Sequence, residues 1–252
     1  MSKNIFIHIG THKTGSTSLQ DYLSSNRLSL ISNGICYYSG DLLLDNHIEL
    51  YLSCIDREKD SLAQRTIDMV PLDILFDKTR AKVSEFLTDC QAETIIFSTE
   101  GLSLLRTDME MSRLAQILDP SANNINIICV LRNKADYLSA YRKQILKVPR
   151  RKPSDDPRSA LYVEPDSWLI DYDKLLEAYR IAFGTQSVHV IDYDIEVTKC
   201  GDVLPASLRA LSIPESLLPK PGYAKRSNTT SKINRTRQLA NRLRDYILRN
   251  YK

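Results

Sequence analysis

The sequence has little of what would indicate a disulfide-stabilised, metal-binding or membrane-spanning protein. Its five cysteines are scattered, odd in number and without a C-x-x-C pair, which argues against a disulfide framework or a structural zinc site. Its four histidines are too dispersed for their spacing to suggest a metal site. No apolar run approaches the roughly 20 residues that a transmembrane helix needs.

A strong excess of charge of one sign is also missing. The 34 Lys and Arg residues against 31 Asp and Glu residues give a formal net charge of +3, which does not suggest a nucleic-acid partner. The N-terminus enters an apolar pattern almost at once and leaves no room for a signal peptide, so the expected location is the cytoplasm. With 252 residues, 42% of them hydrophobic, the composition predicts one enzyme domain over 1–252.

The most informative segment that is present lies at the start of the chain. An apolar run over 5–9 is followed by a Gly- and hydroxyl-rich stretch over 10–18 and then by an amphipathic pattern. This order predicts a strand, a phosphate loop and the start of a helix, whose N-terminal N–H groups favour an anion. The alternative is a surface turn that only caps the helix.

The loop departs from the nucleoside triphosphate pattern. Gly10 and Gly15 have the right spacing, but Ser16 stands where that pattern requires Lys. The single lysine, Lys13, lies three residues earlier, inside the loop, where it can bridge the bound anion and its attacker. A P-loop kinase of a small metabolite is therefore an alternative rather than the first hypothesis. A non-catalytic anion- or glycan-binding module is another.

The residues 12–20 resemble the 5′-phosphosulfate loop of sulfotransferases that use 3′-phosphoadenosine-5′-phosphosulfate (PAPS), in a bacterial, carbohydrate sulfotransferase-like version. The resemblance implies a loop that holds the donor through backbone N–H groups and hydroxyls, with Lys13 neutralising charge on the leaving oxygen by preorganised electrostatics. The donor-binding residues that it implies in this loop are His12, Lys13, Thr14, Gly15, Ser16, Thr17 and Ser18.

A second element of the same family follows a buried-strand pattern at 125–131. Arg132 stands where this strand ends, and Ser139 follows about two helical turns later. The pair resembles the element that binds the 3′-phosphate, a task for which the planar guanidinium is suited. The alternative is an Arg that caps the sheet edge and a serine on a helix surface. The resemblance implies PAPS as donor, adenosine 3′,5′-bisphosphate as product and no metal.

The remaining pattern alternates strands and helices. Strands are predicted near 35–38, 94–98, 125–131 and 187–191, and helices near 72–87, 109–118, 134–147 and 168–183. This order predicts an α/β fold, P-loop-like and three-layered, with a mainly parallel central sheet flanked by helices. Ligands are expected at the carboxyl ends of the strands.

That topology draws attention to Glu100, which follows the strand predicted at 94–98. The resemblance implies that Glu100 is the general base that takes the proton of the acceptor hydroxyl. His47 ranks second, because some relatives use a histidine, although a plain core or surface histidine is the simpler interpretation. For Glu100 the alternative is a helix cap or an ion pair.

The acceptor is the least defined part of the prediction. We expect sulfuryl transfer by an in-line reaction to a hydroxyl or amine of a saccharide or glycolipid, with acceptor-side insertions near 39–70 and 148–165. Arg226 is the candidate for a late basic loop that closes over the nucleotide in the family. A basic amphipathic helix is predicted at 231–250; it either packs on the core or makes a peripheral membrane contact.

Overall fold

A computed structural model of the protein describes residues 2–64, 70–148 and 151–219. Its centre is a five-stranded sheet in which all four strand pairings are parallel. The strands are β1 Asn4–Gly10, β2 Ile35–Tyr37, β3 Thr94–Ser98, β4 Asn124–Leu131 and β5 Val188–Asp192, in the spatial order β2-β3-β1-β4-β5. The predicted α/β class with a mainly parallel sheet is therefore confirmed.

Helices connect the strands on both faces of the sheet. In chain order they are α1 Ser16–Ser25, α2 Arg27–Ile31, α3 Ile48–Leu52, α4 Leu72–Asp89, α5 Asp108–Leu118, α6 Lys134–Lys147, α7 Tyr172–Phe183, α8 Tyr193–Cys200 and α9 Leu204–Ala210. The helices predicted near 72–87, 109–118 and 134–147 match α4, α5 and α6 closely. The predicted helix over 168–183 begins later, at α7, because Trp168–Ile170 forms a separate 3₁₀ turn and the Asp171 side chain caps α7.

The three central strands, β3, β1 and β4, have two buried faces, which explains why they appear in the sequence as continuous apolar runs, whereas β5 is more exposed. In β1, Ile5, Ile7 and Ile9 pack into a core shared with α4, α5 and α7. Phe6, between them, packs against the opposite core, which contains Leu19 of α1 and residues of α2 and α9. The central position of β1 places the loop that follows it between the ends of β3 and β4.

The region predicted to be irregular up to residue 70 is more ordered than expected. It contains α3, all five residues of which are buried, and a 3₁₀ turn at Arg57–Lys59. A helix of five residues is too short to show a 3.6-residue period in the sequence, so the pattern did not reveal it.

Some predictions lie outside the described residues, namely Arg226, the helix at 231–250 and the membrane contact that would depend on it. Within the three described ranges, no helix combines the length and apolar character that crossing a membrane requires. The single-domain organisation and the cytoplasmic location stay predictions.

Candidate active site

The candidate site is built around the loop that joins β1 to α1. Its backbone is fixed to the end of β4, since Thr11 donates two hydrogen bonds to the Val130 carbonyl, from its N–H at 2.8 Å and from its hydroxyl at 3.1 Å. Lys13 and Gly15 adopt positive φ angles of 66° and 90°. A non-glycine residue with positive φ is uncommon, and such conformations concentrate at functional sites.

The N-terminus of α1 is open to a ligand. Its N-cap, Gly15, has no side chain to satisfy the first N–H groups of the helix. A Cβ at Gly15 would lie 2.7 Å from Cγ1 of Val203, so only glycine fits there. In the first turn the Ser16 hydroxyl is buried and makes no hydrogen bond within the protein, whereas Thr17 and Ser18 are partly buried. A buried hydroxyl without a partner next to uncapped N–H groups is what an anion site requires.

Thr14 behaves differently from the other hydroxyl residues of the loop. Its side chain is buried, and its hydroxyl donates a 2.6 Å hydrogen bond to the Thr11 carbonyl. The hydroxyl proton is therefore already engaged within the loop. We assign the Thr14 side chain a role in shaping the loop instead of the predicted role in binding the sulfuryl donor, and its backbone N–H stays a candidate for binding that donor.

Arg132 is brought to this loop from the end of β4. Its guanidinium Nη1 donates to the Lys13 carbonyl at 3.4 Å, and its Cζ lies 5.0 Å from the centre of the Tyr193 ring. The Arg132 carbonyl accepts a 2.8 Å hydrogen bond from the Tyr172 hydroxyl. Arg132 Nε is buried and has no hydrogen-bond partner in the part of the chain that the structure describes. The structure thus places a partly unsatisfied guanidinium beside the phosphate loop.

Ser139 lies on the helix that follows Arg132 in the chain. It is exposed on α6, five residues after the helix begins at Lys134, which is about 7.5 Å along the helix axis. The Asn133 side chain caps α6 by accepting hydrogen bonds from the N–H groups of Ala135 and Asp136. Joint binding of one ligand by Ser139 and Arg132 stays a prediction.

Glu100 lies on the other side of the loop, at the end of β3. Gly10 makes this possible, because a Cβ at that position would be 2.9 Å from Glu100 Cβ. One carboxylate oxygen, Oε2, accepts hydrogen bonds from Gln20 Nε2 at 3.2 Å and from Asn46 Nδ2 at 3.1 Å. Two neutral amides therefore orient the carboxylate without neutralising its charge.

The sequence analysis missed Gln20 and Asn46. Gln20 lies on the buried face of α1 and also donates to the Ser98 hydroxyl at 3.3 Å. Asn46 comes from the region that was predicted to be irregular, and its Oδ1 is buried without a hydrogen-bond partner. The sequence signal that could have revealed Gln20 is a glutamine at a helix position where the amphipathic pattern expects an apolar residue. Asn46 had no such signal, because a lone Asn in a polar loop usually forms a turn.

His12 contacts the same space from the loop. Its ring centre lies 4.9 Å from that of the buried Tyr141, and its Nδ1 is buried without a hydrogen-bond partner. Burial lowers the pKa of His12; the Glu100 carboxylate opposes this effect and the Lys13 ammonium adds to it. A neutral imidazole with one unsatisfied nitrogen can hydrogen-bond a ligand, in keeping with the predicted donor-site role.

His47 has no nitrogen available for catalysis. Its Nδ1 accepts a 2.9 Å hydrogen bond from the Ser98 N–H, and its Nε2–H donates to the Tyr38 carbonyl at 2.8 Å. The side chain is completely buried, and burial lowers its pKa to about 3. His47 therefore joins the end of β3 to the segment after β2, and we do not retain it as a candidate base.

Comparisons with known proteins support this fold. No protein-family model matches the chain, and a search of curated proteins found no match. Among solved structures, a sulfotransferase from Alicyclobacillus acidocaldarius aligns over 99% of this chain and 94% of its own, with a TM-score of 0.56 and 16% identity. A sulfotransferase domain from the curacin biosynthetic pathway aligns over 86% of this chain and 77% of its own, with a TM-score of 0.45 and 14% identity. The chain thus has the fold of a solved sulfotransferase.

Proposed function

We propose that the protein is a sulfotransferase that moves a sulfuryl group from PAPS to a hydroxyl or amine of an acceptor, with a saccharide or glycolipid as the acceptor class. The observation that carries this proposal is the convergence of Lys13, Arg132 and Glu100, which are far apart in sequence, around one phosphate loop. These residues offer an ammonium, a guanidinium and a carboxylate group, each of which the reaction needs. The fold that carries them is shared with a solved sulfotransferase.

The donor site is proposed to use groups that the protein leaves without partners. The uncapped N–H groups at the start of α1 and the hydroxyl of Ser16 would bind the 5′-phosphosulfate, with Thr17 and Ser18 beside them. Arg132, whose Nε has no partner, would bind the 3′-phosphate and so distinguish PAPS from ATP. Buried polar atoms are rarely left unsatisfied in a folded protein, so these atoms fit a phosphorylated ligand.

The acceptor side is proposed to use Glu100 as the general base. The attacking hydroxyl must lose its proton as its oxygen bonds to sulfur, and the carboxylate can accept that proton. Gln20 and Asn46 would act as positioning residues, because both donate to Oε2 and so direct the other oxygen toward the acceptor. The unpartnered Asn46 Oδ1 can accept a hydrogen bond from a neighbouring hydroxyl of the same acceptor.

The leaving side is proposed to depend on Lys13. When bound, PAPS supplies an activated sulfuryl group whose bond to the 5′-phosphate oxygen breaks as the acceptor bond forms. Negative charge then grows on that oxygen, and an ammonium group already in place stabilises it without reorganisation. Lys13 is exposed in the loop between β1 and α1.

Calorimetry of the full chain tests the proposal directly. Adenosine 3′,5′-bisphosphate should bind without added metal and more tightly than ADP or ATP, and chelator should not change its affinity. Preferential binding of ATP in the presence of Mg²⁺ would overturn the proposal in favour of a kinase. If adenosine 3′,5′-bisphosphate binds but no sulfuryl group leaves labelled PAPS in the presence of any acceptor, a non-catalytic binding module becomes the better hypothesis.

A further inference from the structure

A pocket of about 390 Å³ lies at the same edge of the sheet as the candidate site. It is formed by four segments: residues 56–59, residues 157–158, Arg106, and the turn and helix start around 168–174. The first two belong to the regions in which the sequence analysis placed acceptor-side insertions. The volume lies within the range of roughly 300–1,000 Å³ that is typical of small-molecule sites.

The pocket is connected to the proposed reaction site by two segments of the chain. Glu100 begins a 3₁₀ turn that ends at Leu104, and the pocket residue Arg106 follows this turn. The pocket residue Lys59 donates to the Leu104 carbonyl at 2.8 Å. On the other side, the pocket residue Asp171 precedes Tyr172, whose hydroxyl holds the Arg132 carbonyl.

The centre of the pocket wall is the indole of Trp168, which has charged side chains near it. Lys59 Nζ lies 5.1 Å and Arg106 Cζ 5.4 Å from the centre of the Trp168 ring. Asp171 and Lys174 carry opposite charges on the adjacent wall, 3.5 Å apart. Both cations, Lys59 and Arg106, lie over the ring, and hydrogen-bonding groups of both signs stand next to it. A sugar, which has an apolar C–H face and hydroxyls at its edge, matches such a wall.

The wall is fixed before any ligand binds. Lys59 Nζ forms a 2.6 Å ion pair with Glu110 Oε2, and the Glu110 side chain is completely buried. The same carboxylate accepts hydrogen bonds from the N–H groups of Asp56, Arg106 and Thr107. Such cross-linking limits the ordering entropy that ligand binding would cost.

We propose that this pocket binds a sugar ring of the acceptor against Trp168, while another ring presents its hydroxyl to Glu100. This inference rests on the proposed sulfotransferase function. An acceptor that reaches both places has at least two sugar rings.

The chain contains one tryptophan, so intrinsic tryptophan emission reports on this pocket alone. The full chain, saturated with adenosine 3′,5′-bisphosphate, is titrated with neutral, N-acetylated and uronic acid-containing trisaccharides, and with cyclohexanol as an apolar alcohol. We expect a saturable change in emission with at least one trisaccharide and none with cyclohexanol. No saturable change with any trisaccharide, or an equal response to cyclohexanol, would overturn the proposal.

Variants then connect binding to turnover with the trisaccharide that responds. Trp168→Leu should raise the acceptor KM about tenfold or more, while kcat and the affinity for adenosine 3′,5′-bisphosphate stay close to wild type. Lys174→Met should give a smaller rise in KM; Lys143→Met, which changes an exposed lysine of α6 outside the pocket, is the matched control and should give none. An unchanged KM in Trp168→Leu would contradict the acceptor role.

The two proposals can fail separately. If adenosine 3′,5′-bisphosphate does not bind but a trisaccharide still changes the Trp168 emission, the sulfotransferase function fails and the pocket is a saccharide site without the acceptor role. If the nucleotide binds and labelled sulfate is transferred, but the emission responds to no trisaccharide, the sulfotransferase function stands and the pocket proposal is overturned.

Discussion

Two histidines at the same edge of the sheet show how differently one residue type can be used. His12, in the loop between β1 and α1, has a buried Nδ1 with no hydrogen-bond partner among the described residues. At His47, both ring nitrogens are hydrogen-bonded to backbone groups, of Ser98 and Tyr38. Burial lowers the pKa of both, so the direction of the pKa shift does not separate them. What separates them is whether the protein leaves a polar atom for a ligand.

The contrast extends to the surroundings of each histidine. Beside His12, the Ser16 hydroxyl and Arg132 Nε are also buried and unpartnered. The His47 corner, which we define as Tyr38, His47 and Ser98, is cross-linked by backbone hydrogen bonds, including one of 3.1 Å from the His47 N–H to the Ser98 carbonyl. The loop therefore has the properties of a binding surface, and the His47 corner those of a structural joint.

The largest effect is expected from removing the proposed base. Glu100→Gln keeps the shape of the side chain and an oxygen for Gln20 and Asn46, but it cannot take up a proton at neutral pH. Turnover should fall by about 10²- to 10⁴-fold, with little change in nucleotide affinity. Steady-state kinetics with labelled PAPS measure this effect; turnover near that of wild type would show that the base lies elsewhere.

The next largest effect is expected at Lys13. Replacing Lys13 with Ala removes the ammonium group beside the proposed leaving oxygen, so kcat should fall by about 10²- to 10³-fold. Affinity for adenosine 3′,5′-bisphosphate should fall much less, because the N–H groups of α1 and Ser16 remain. Lys143→Ala, on the exposed surface of α6, is the control. Unaltered turnover in Lys13→Ala would refute the assigned role.

A variant at Arg132 tests whether this residue recognises the 3′-phosphate of the nucleotide. Arg132→Met retains an apolar stem against Tyr193 but removes the guanidinium. The Kd of adenosine 3′,5′-bisphosphate should rise about 10- to 100-fold, which corresponds to a charge-assisted hydrogen bond worth roughly 1.5–3 kcal/mol. Adenosine 5′-monophosphate, which lacks the 3′-phosphate, is the ligand control, and its Kd should not change. Equal losses for both nucleotides would mean that Arg132 does not contact the 3′-phosphate.

The His47 corner should respond in stability rather than in turnover. His47→Phe keeps a ring of similar shape but leaves the Ser98 N–H and the Tyr38 carbonyl unpaired. At about 1–3 kcal/mol for each of the two buried unsatisfied groups, the free energy of unfolding should fall by about 2–6 kcal/mol at pH 7. Denaturant unfolding measures the loss. A kcat of the folded variant that falls as far as that of Glu100→Gln would restore His47 as a candidate base.

The smallest effect is the pH dependence of that stability difference. The folded-state pKa of His47 is lowered to about 3 from 6.5, so below pH 6.5 the unfolded chain binds more protons and the stability of the wild type falls. The His47→Phe variant lacks this dependence. The difference in unfolding free energy should therefore shrink by about 1.4 kcal/mol per pH unit as the pH falls from 6.5 toward 4.5. A constant difference over that range would mean that His47 is not held neutral by burial.

The patterns in the sequence were sufficient for the sheet and for the position of the loop between β1 and α1, whose role in phosphate binding stays a prediction. The strand at β3 and the helices α4, α5 and α6 were predicted within about two residues, because long apolar runs and a 3.6-residue period reflect burial directly. Asn46 could not be predicted, because its role depends on Glu100, 54 residues later in the chain. His47 was ranked as a possible base since its backbone partners have no signature in the sequence.

The sequence by itself determined an α/β fold with a Gly- and hydroxyl-rich loop at the end of its first strand, because burial and glycine placement follow from the residue types. The tertiary structure alone decided which polar atoms are satisfied. Gly10 allows Glu100 to approach the loop, Thr11 ties the loop to β4 beside Arg132, and the backbone at Ser98 occupies His47. Whether a polar atom has a hydrogen-bond partner depends on residues that meet only in the folded chain. The sequence could therefore name candidate site residues, but it could not tell which of them keep a polar atom available for a ligand.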